Sequence, residues 1–305
     1  MKILLTADWH IRGDAPICRA DRDWIESQCV DIKNVHDIFV REECDEMWIM
    51  GDLFHRAICS TETVNALLNA LQLWSREQIY ILPGNHDLPY HSYDNIDGSS
   101  LGIVLKYYKE LKSDIYSGTC HLYTAPFGLD DPQRDVAILE KMDMNVWVTH
   151  RLTFPNNEAR PIADCGCIAQ DLLDMAPTIP LVLTGDYHHG YLYTAPDGRR
   201  VCTPGCLNIQ AVDMAGYRPG VFVWDTNTGK ITRHELPENA SITDTYIVQS
   251  KQKDERLEEC VARIRDTEQV SFDFEENLEH AVSTQRSEVD AVYQELKLNL
   301  YGGKK

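Results

Sequence analysis

The chain has 305 residues, 43% of them hydrophobic, and a formal net charge of −19. That length suits one large domain with a smaller appendage, and the apolar share is enough for a sizeable core. The acidic balance argues against tight DNA binding by this chain alone, because free-standing nucleic-acid binders carry a basic surface; the absence of an apolar run of bilayer-spanning length argues against a membrane protein.

The opening MKILLTADWH passes straight from a short apolar run into polar and charged residues, so it reads as a first strand rather than a signal peptide. The ten cysteines are scattered with no CxxC pair. They read as reduced intracellular thiols, mostly buried filler, with no metal or redox role.

Short apolar runs alternate with helical patterns. KILLTAD (2–8), EMWIMGD (46–52), IYILPGNHD (79–87), VWVTH (146–150) and PLVLTGD (180–186) are rich in Ile, Leu and Val and predict strands covered on both faces. Helices are predicted over 22–43, 60–76 and 132–142. Shorter strands follow at 191–194, 200–203, 220–225 and 230–234, with glycine turns at Gly198 and Gly229; they predict a second, more antiparallel sheet. The class is α/β, with two sheets flanked by helices. From about residue 239 the character changes, and a β-α-β-α pattern to residue 305 predicts a small C-terminal α/β unit after a main domain of 1–238.

Polar residues cluster just after the five apolar runs: Asp8 and His10, Asp52 and His55, Asn85 with His86 and Asp87, His150, then Asp186 and His188. Ligands of open α/β sheets bind at the carboxyl ends of strands, so these exits would converge. Two divalent ions explain the residue types. In extended chain Asp8 and His10 lie on one side and can grip one ion. Asp52 has two oxygens and can bridge two ions, Asn85 offers a neutral carbonyl, and His150 with Asp186 and His188 completes the shells. Paired ions of this kind activate a water and neutralise a phosphate in an in-line displacement.

The order of these motifs resembles the calcineurin-type metallophosphoesterase superfamily over about residues 1–235. Two details resemble the SbcD-type nucleases of DNA double-strand-break repair, phage recombination subunits included. They are GDLFHR (51–56), where many phosphatases have Asp in place of His55, and TPGCLNIQ (203–210). The resemblance implies a two-sheet metallophosphoesterase sandwich. One ion is held by Asp8, His10, Asp52 and His188, and a second by Asp52, Asn85, His150 and Asp186. It implies catalytic roles for His86, as general acid or transition-state stabiliser, and for His55, which contacts phosphate or holds His86. Asp87 is expected to orient His86 or cap the following turn rather than bind metal, and His189 to face away.

The resemblance further implies a DNA substrate, an SbcC-type coiled-coil ATPase partner, a homodimer and a capping role for 239–305. The last block departs from the family's Gly-His-x-His by carrying Asp186, and the added carboxylate favours Mn²⁺ or Mg²⁺ over Zn²⁺. Alternatives are a phosphomonoesterase or small-molecule phosphodiesterase on the same fold, and a non-catalytic scaffold.

Overall fold

A computed structural model describes residues 1–116, 120–127, 144–160, 165–211, 214 and 216–237. In chain order the elements are β1 (Lys2–Thr6), α1 (Trp24–Arg41), β2 (Glu46–Met50), α2 (Thr61–Leu71), β3 (Ile79–Leu82), α3 (Ser100–Val104), β4 (Lys109–Glu110), β5 (Asp114–Tyr116), β6 (Cys120–Ala125), β7 (Met144–His150), β8 (Thr153–Phe154), β9 (Cys167–Ile168), α4 (Ala169–Met175), β10 (Leu181–Gly185), β11 (Tyr191–Thr194), β12 (Arg200–Thr203), β13 (Gly220–Asp225) and β14 (Ile231–Glu235). The helix expected over 132–142 and the unit expected over 239–305 lie outside the described residues.

Two six-stranded sheets carry the fold, in the orders β14-β13-β1-β2-β3-β4 and β11-β12-β10-β7-β6-β5. Alternation along each strand sends successive side chains to opposite faces. Trp48 and Met50 therefore enter the layer between the sheets, with Leu5 and Leu82, against Val146, Val148, Leu181 and Leu183. Met47 and Ile49 point the other way, onto Ile32 and Val35 of α1 and Leu67 of α2. Trp147 and Val182 cover the outer face of the second sheet with Leu172 and Leu173 of α4. The strands are apolar on both faces because both faces are covered. Among the described residues no helix is long and apolar enough to cross a membrane.

The helices begin where their caps require. Asp23 accepts the Glu26 N–H at 3.0 Å at the start of α1, and Ser60 accepts the Thr63 N–H at 3.2 Å at the start of α2. The predicted helix 60–76 stops at Leu71, because Ser75 and Gln78 form a capping box that starts a new turn leading into β3.

The strands after residue 190 do not form a sheet of their own, which corrects the sequence expectation. β13 pairs antiparallel with β1, and β14 with β13. β12 runs parallel to β10, and β11 antiparallel to β12. The physical reason lies in β13, where Val221 and Val223 face one layer while Phe222 and Trp224 face the other. A strand apolar on both faces belongs inside a covered sheet, and the edge of β1 supplies that place.

Leu183 is fully buried between the sheets. Replacing it with Ala is expected to cost about 3 kcal/mol, read as a lowered urea midpoint with an unchanged slope.

Candidate metal centre

The ends of β1, β2 and β3 meet the ends of β7 and β10, since each set runs parallel within its own sheet. The expected extended geometry at Asp8 and His10 is not what brings them together. β1 ends at Thr6, and Asp8, His10, Asp52 and Asp186 all take left-handed backbone angles, with φ of 52°, 46°, 51° and 76°. Such angles cost non-glycine residues about 1–2 kcal/mol each and gather at functional sites. Cross-loop bonds hold them: the Asp8 N–H donates to Gly51 and the His10 N–H to Asp52, both at 3.0 Å.

The side chains converge closely. His10 Nε2 lies 3.0 Å from His188 Nε2 and 3.7 Å from Asp52 Oδ2. His150 Nε2 lies 3.0 Å from Asn85 Oδ1 and 3.4 Å from the same Asp52 oxygen. Asp8, His10 and His188 form one group able to hold a metal ion; Asp8, Asp52 and His150 form another; His10, His55 and His86 form a third. Ligands about 2.1 Å from one ion and at right angles to each other sit about 3.0 Å apart, so the residues fit divalent cations.

Electrostatics agrees. Asp8 and Asp52 are buried, and among the described residues neither pairs with Lys or Arg. Burial pushes the Asp8 carboxyl up, and the neighbouring charges of Asp52 and Asp186 push it further. Burial also acts to raise Asp52, but His150 and His10 outweigh it and hold that carboxylate low. Burial acts to lower His150, and Asp52 reverses this and raises it. His150 offsets the charge of Asp52, but a second buried carboxylate at Asp8 remains costly, and bound cations would remove that cost.

Ring tautomers are set by backbone carbonyls. His150 Nδ1 donates to the Met50 carbonyl at 2.9 Å, which leaves Nε2 toward Asp52 and Asn85. Gly51 and Gly185 make room for this ring: a Cβ at Gly51, whose φ is 93°, would lie 2.0 Å from His150 Nδ1, and one at Gly185 would lie 2.6 Å from it. His86 donates Nδ1–H to the His55 carbonyl at 2.8 Å and its backbone N–H to Asp52 Oδ1 at 2.9 Å. The His55 and His86 rings stack with centroids 5.5 Å apart. Burial and the charge of Arg12 hold His55 down to about 4.

Asp87 is fully buried and ties the loops together. Its carboxylate accepts N–H groups from Leu53 at 3.2 Å, Phe54 at 2.9 Å and Gly84 at 3.0 Å. Burial and the Asp52 charge push its pKa up to about 7, against the pull of those three bonds. His91 donates Nδ1–H to the Asn85 carbonyl at 3.1 Å. The Asp87 contacts join the loop after β2 to the GNHD turn, a proximity that exists only in three dimensions.

In the last block, His188 joins the Asp8 and His10 group. His189 turns instead to Tyr187 and Tyr217, with ring centroids at 5.5 and 4.9 Å. The Asp186 N–H donates to both Asp8 oxygens, at 3.0 and 3.2 Å. Its carboxylate joins none of the three groups among the described residues, although its charge acts on Asp8, His150 and His188. The described cysteines are free, and none belongs to these groups.

Asp87→Ala would leave three buried N–H groups without acceptors. It is expected to cost about 3 kcal/mol or more, measured by urea unfolding.

A family model described as Calcineurin-like phosphoesterase matches residues 1–165. Similar solved structures include a dimetal phosphatase from Danio rerio, 11% identical, covering 77% of this chain and 96% of that one with a TM-score of 0.54. Another is a protein of Thermus thermophilus, TT1561, 12% identical, covering 77% of this chain and 99% of that one with a TM-score of 0.50. At these identities the likeness is one of fold. None of the curated proteins matches this sequence. A family match over more than half of the chain, on the strands that deliver Asp8, His10, Asp52, Asn85 and His150, makes this chain a member of the calcineurin-like phosphoesterase family.

Proposed function

We propose that this protein is a metal-dependent DNA nuclease subunit of the SbcD type, hydrolysing phosphodiester bonds. Metal-dependent phosphoester hydrolysis follows from the family; the DNA substrate is the proposal. The observation that carries it is the His55–His86 pair beside the metal-ligating cluster. A DNA strand leaves as a sugar alkoxide, which needs a proton. His86, with Nδ1 committed to the His55 carbonyl, presents Nε2 for that transfer. His55 holds His86 through its carbonyl and stacks on its ring.

In this reading Asp8, His10, Asp52 and His188 would hold one ion, and Asp52, Asn85 and His150 the other, with Asp186 assigned to the second ion on the family resemblance alone. Mn²⁺ suits the carboxylate-rich set, with Mg²⁺ the alternative. Bound there, two divalent ions supply Lewis acidity toward water and toward the phosphate oxygens. Asp52 is shared between them, and its Oδ1 fixes the His86 backbone. The net charge of −19 supports a subunit that draws DNA affinity from a partner, for which an SbcC-type coiled-coil ATPase is proposed, together with a homodimer. Residues 239–305 are assigned as the capping and partner-binding segment.

The acidic surface also suits a small-molecule phosphodiesterase, and the test separates the two. Wild type, His86→Ala and Asp52→Ala are assayed with Mn²⁺ on linear double-stranded DNA, single-stranded DNA and bis(p-nitrophenyl) phosphate. Wild type is expected to degrade DNA. His86→Ala is expected to lose about 10²-fold or more while still binding metal, and Asp52→Ala to lose both activity and metal. Hydrolysis of the aryl diester without any cleavage of DNA would support the small-molecule reading instead.

A further inference from the structure

Arg12 lies two residues beyond His10 and is fixed there through its backbone. Gln28 on α1 accepts the Arg12 N–H at 3.0 Å and donates Nε2 to the Arg12 carbonyl at 2.8 Å. The preceding residue, Ile11, is bridged to Phe54, and its carbonyl accepts the His55 N–H at 3.1 Å. Arg12 is thereby seated next to His55, on which its positive charge acts more strongly than any other charge. Exposed Arg56 adds charge of the same sign.

The Arg12 side chain is not satisfied by the protein. Its Nε is buried with no hydrogen-bond partner. Its Nη2 pairs with Asp14, whose side chain is 67% exposed. The Asp14 end of the pair faces solvent, which screens it and lets a better anion displace it. A guanidinium offers a planar fork of donors that matches a phosphate. Among the described residues the polar partners of Arg12 are Gln28 and Asp14, not the groups around Asp52. Its chain neighbour Ile11 is bonded to the His55 backbone, and its charge bears on His55, whose ring stacks on His86.

We propose that Arg12 is a specificity-determining residue that binds the phosphate adjacent to the one being cleaved in a nucleic-acid strand, with Asp14 holding the guanidinium until substrate displaces it. This rests on the nuclease reading and deepens it. In a chain of net charge −19, a seated cation at this point favours a polyanionic strand over a substrate with a single phosphate. The side chain is dispensable for the loop, because Gln28 grips only the Arg12 backbone.

The test compares wild type, Arg12→Ala, Arg12→Lys and Asp14→Asn with Mn²⁺, on linear DNA and on bis(p-nitrophenyl) phosphate, between about 50 and 200 mM salt. Arg12→Ala is expected to lower the DNA-to-ester ratio of kcat/KM about tenfold, mainly through KM for DNA. It should also reduce the salt slope on DNA by about 1. Arg12→Lys should keep the slope and recover part of the ratio, and Asp14→Asn should lower KM for DNA. Equal losses on both substrates, or an unchanged ratio, would overturn the role given to Arg12 while leaving the nuclease reading in place. A wild type that hydrolyses the ester but not DNA would overturn both.

Discussion

The structure turns on two buried carboxylates, Asp8 and Asp52, placed against imidazoles where two sheets meet. Burying one unpaired carboxylate is expensive, and burying two together more so. The protein answers with histidines rather than with Lys or Arg. An imidazole shares its site with a metal ion as a neutral ligand, whereas a fixed ammonium or guanidinium would compete with that ion. Burial pushes the Asp8 carboxyl up, while His150 holds Asp52 low and Asp52 in turn raises His150. The rest of the site reads as the apparatus that keeps this arrangement in place.

That apparatus is mostly backbone. Left-handed turns at Asp8, His10, Asp52 and Asp186 aim the side chains, and cross-loop N–H bonds tie each turn to its neighbour. Asp87 gathers three N–H groups from two loops. Gly51 and Gly185 clear the space in which His150 lies. Loops alone would not hold such geometry to a few tenths of an ångström. The two sheets behind them do, through an apolar layer that leaves Leu5, Trp48, Val148 and Leu183 almost no exposure.

Much of this was legible in the sequence. The apolar runs located β1, β2, β3, β7 and β10, and the polar residues after them located the site, because a parallel sheet brings its strand ends to one edge. Periodicity could not say which sheet would take β13, since a two-faced apolar strand fits either. Nor could it see the left-handed turns: alternation along an extended chain brings Asp8 and His10 to one side as readily as the turns do. The motif order sets Asp87 apart from the ligands but not its partners, because the N–H groups it accepts lie as much as 34 residues away. The seating of Arg12 by Gln28 depends on the packing of α1 against the β1 loop, for which a single sequence carries no periodic signal.

The central claim is that the cluster is built for divalent cations. Metal content by elemental analysis, combined with thermal unfolding across a Mn²⁺ titration, tests it most directly. The expected result is two ions per chain and a melting temperature that rises with free Mn²⁺, as linkage requires of a ligand bound only by the folded state, with both effects lost in Asp52→Asn. A protein that binds no metal and melts at the same temperature with and without Mn²⁺ would contradict the account.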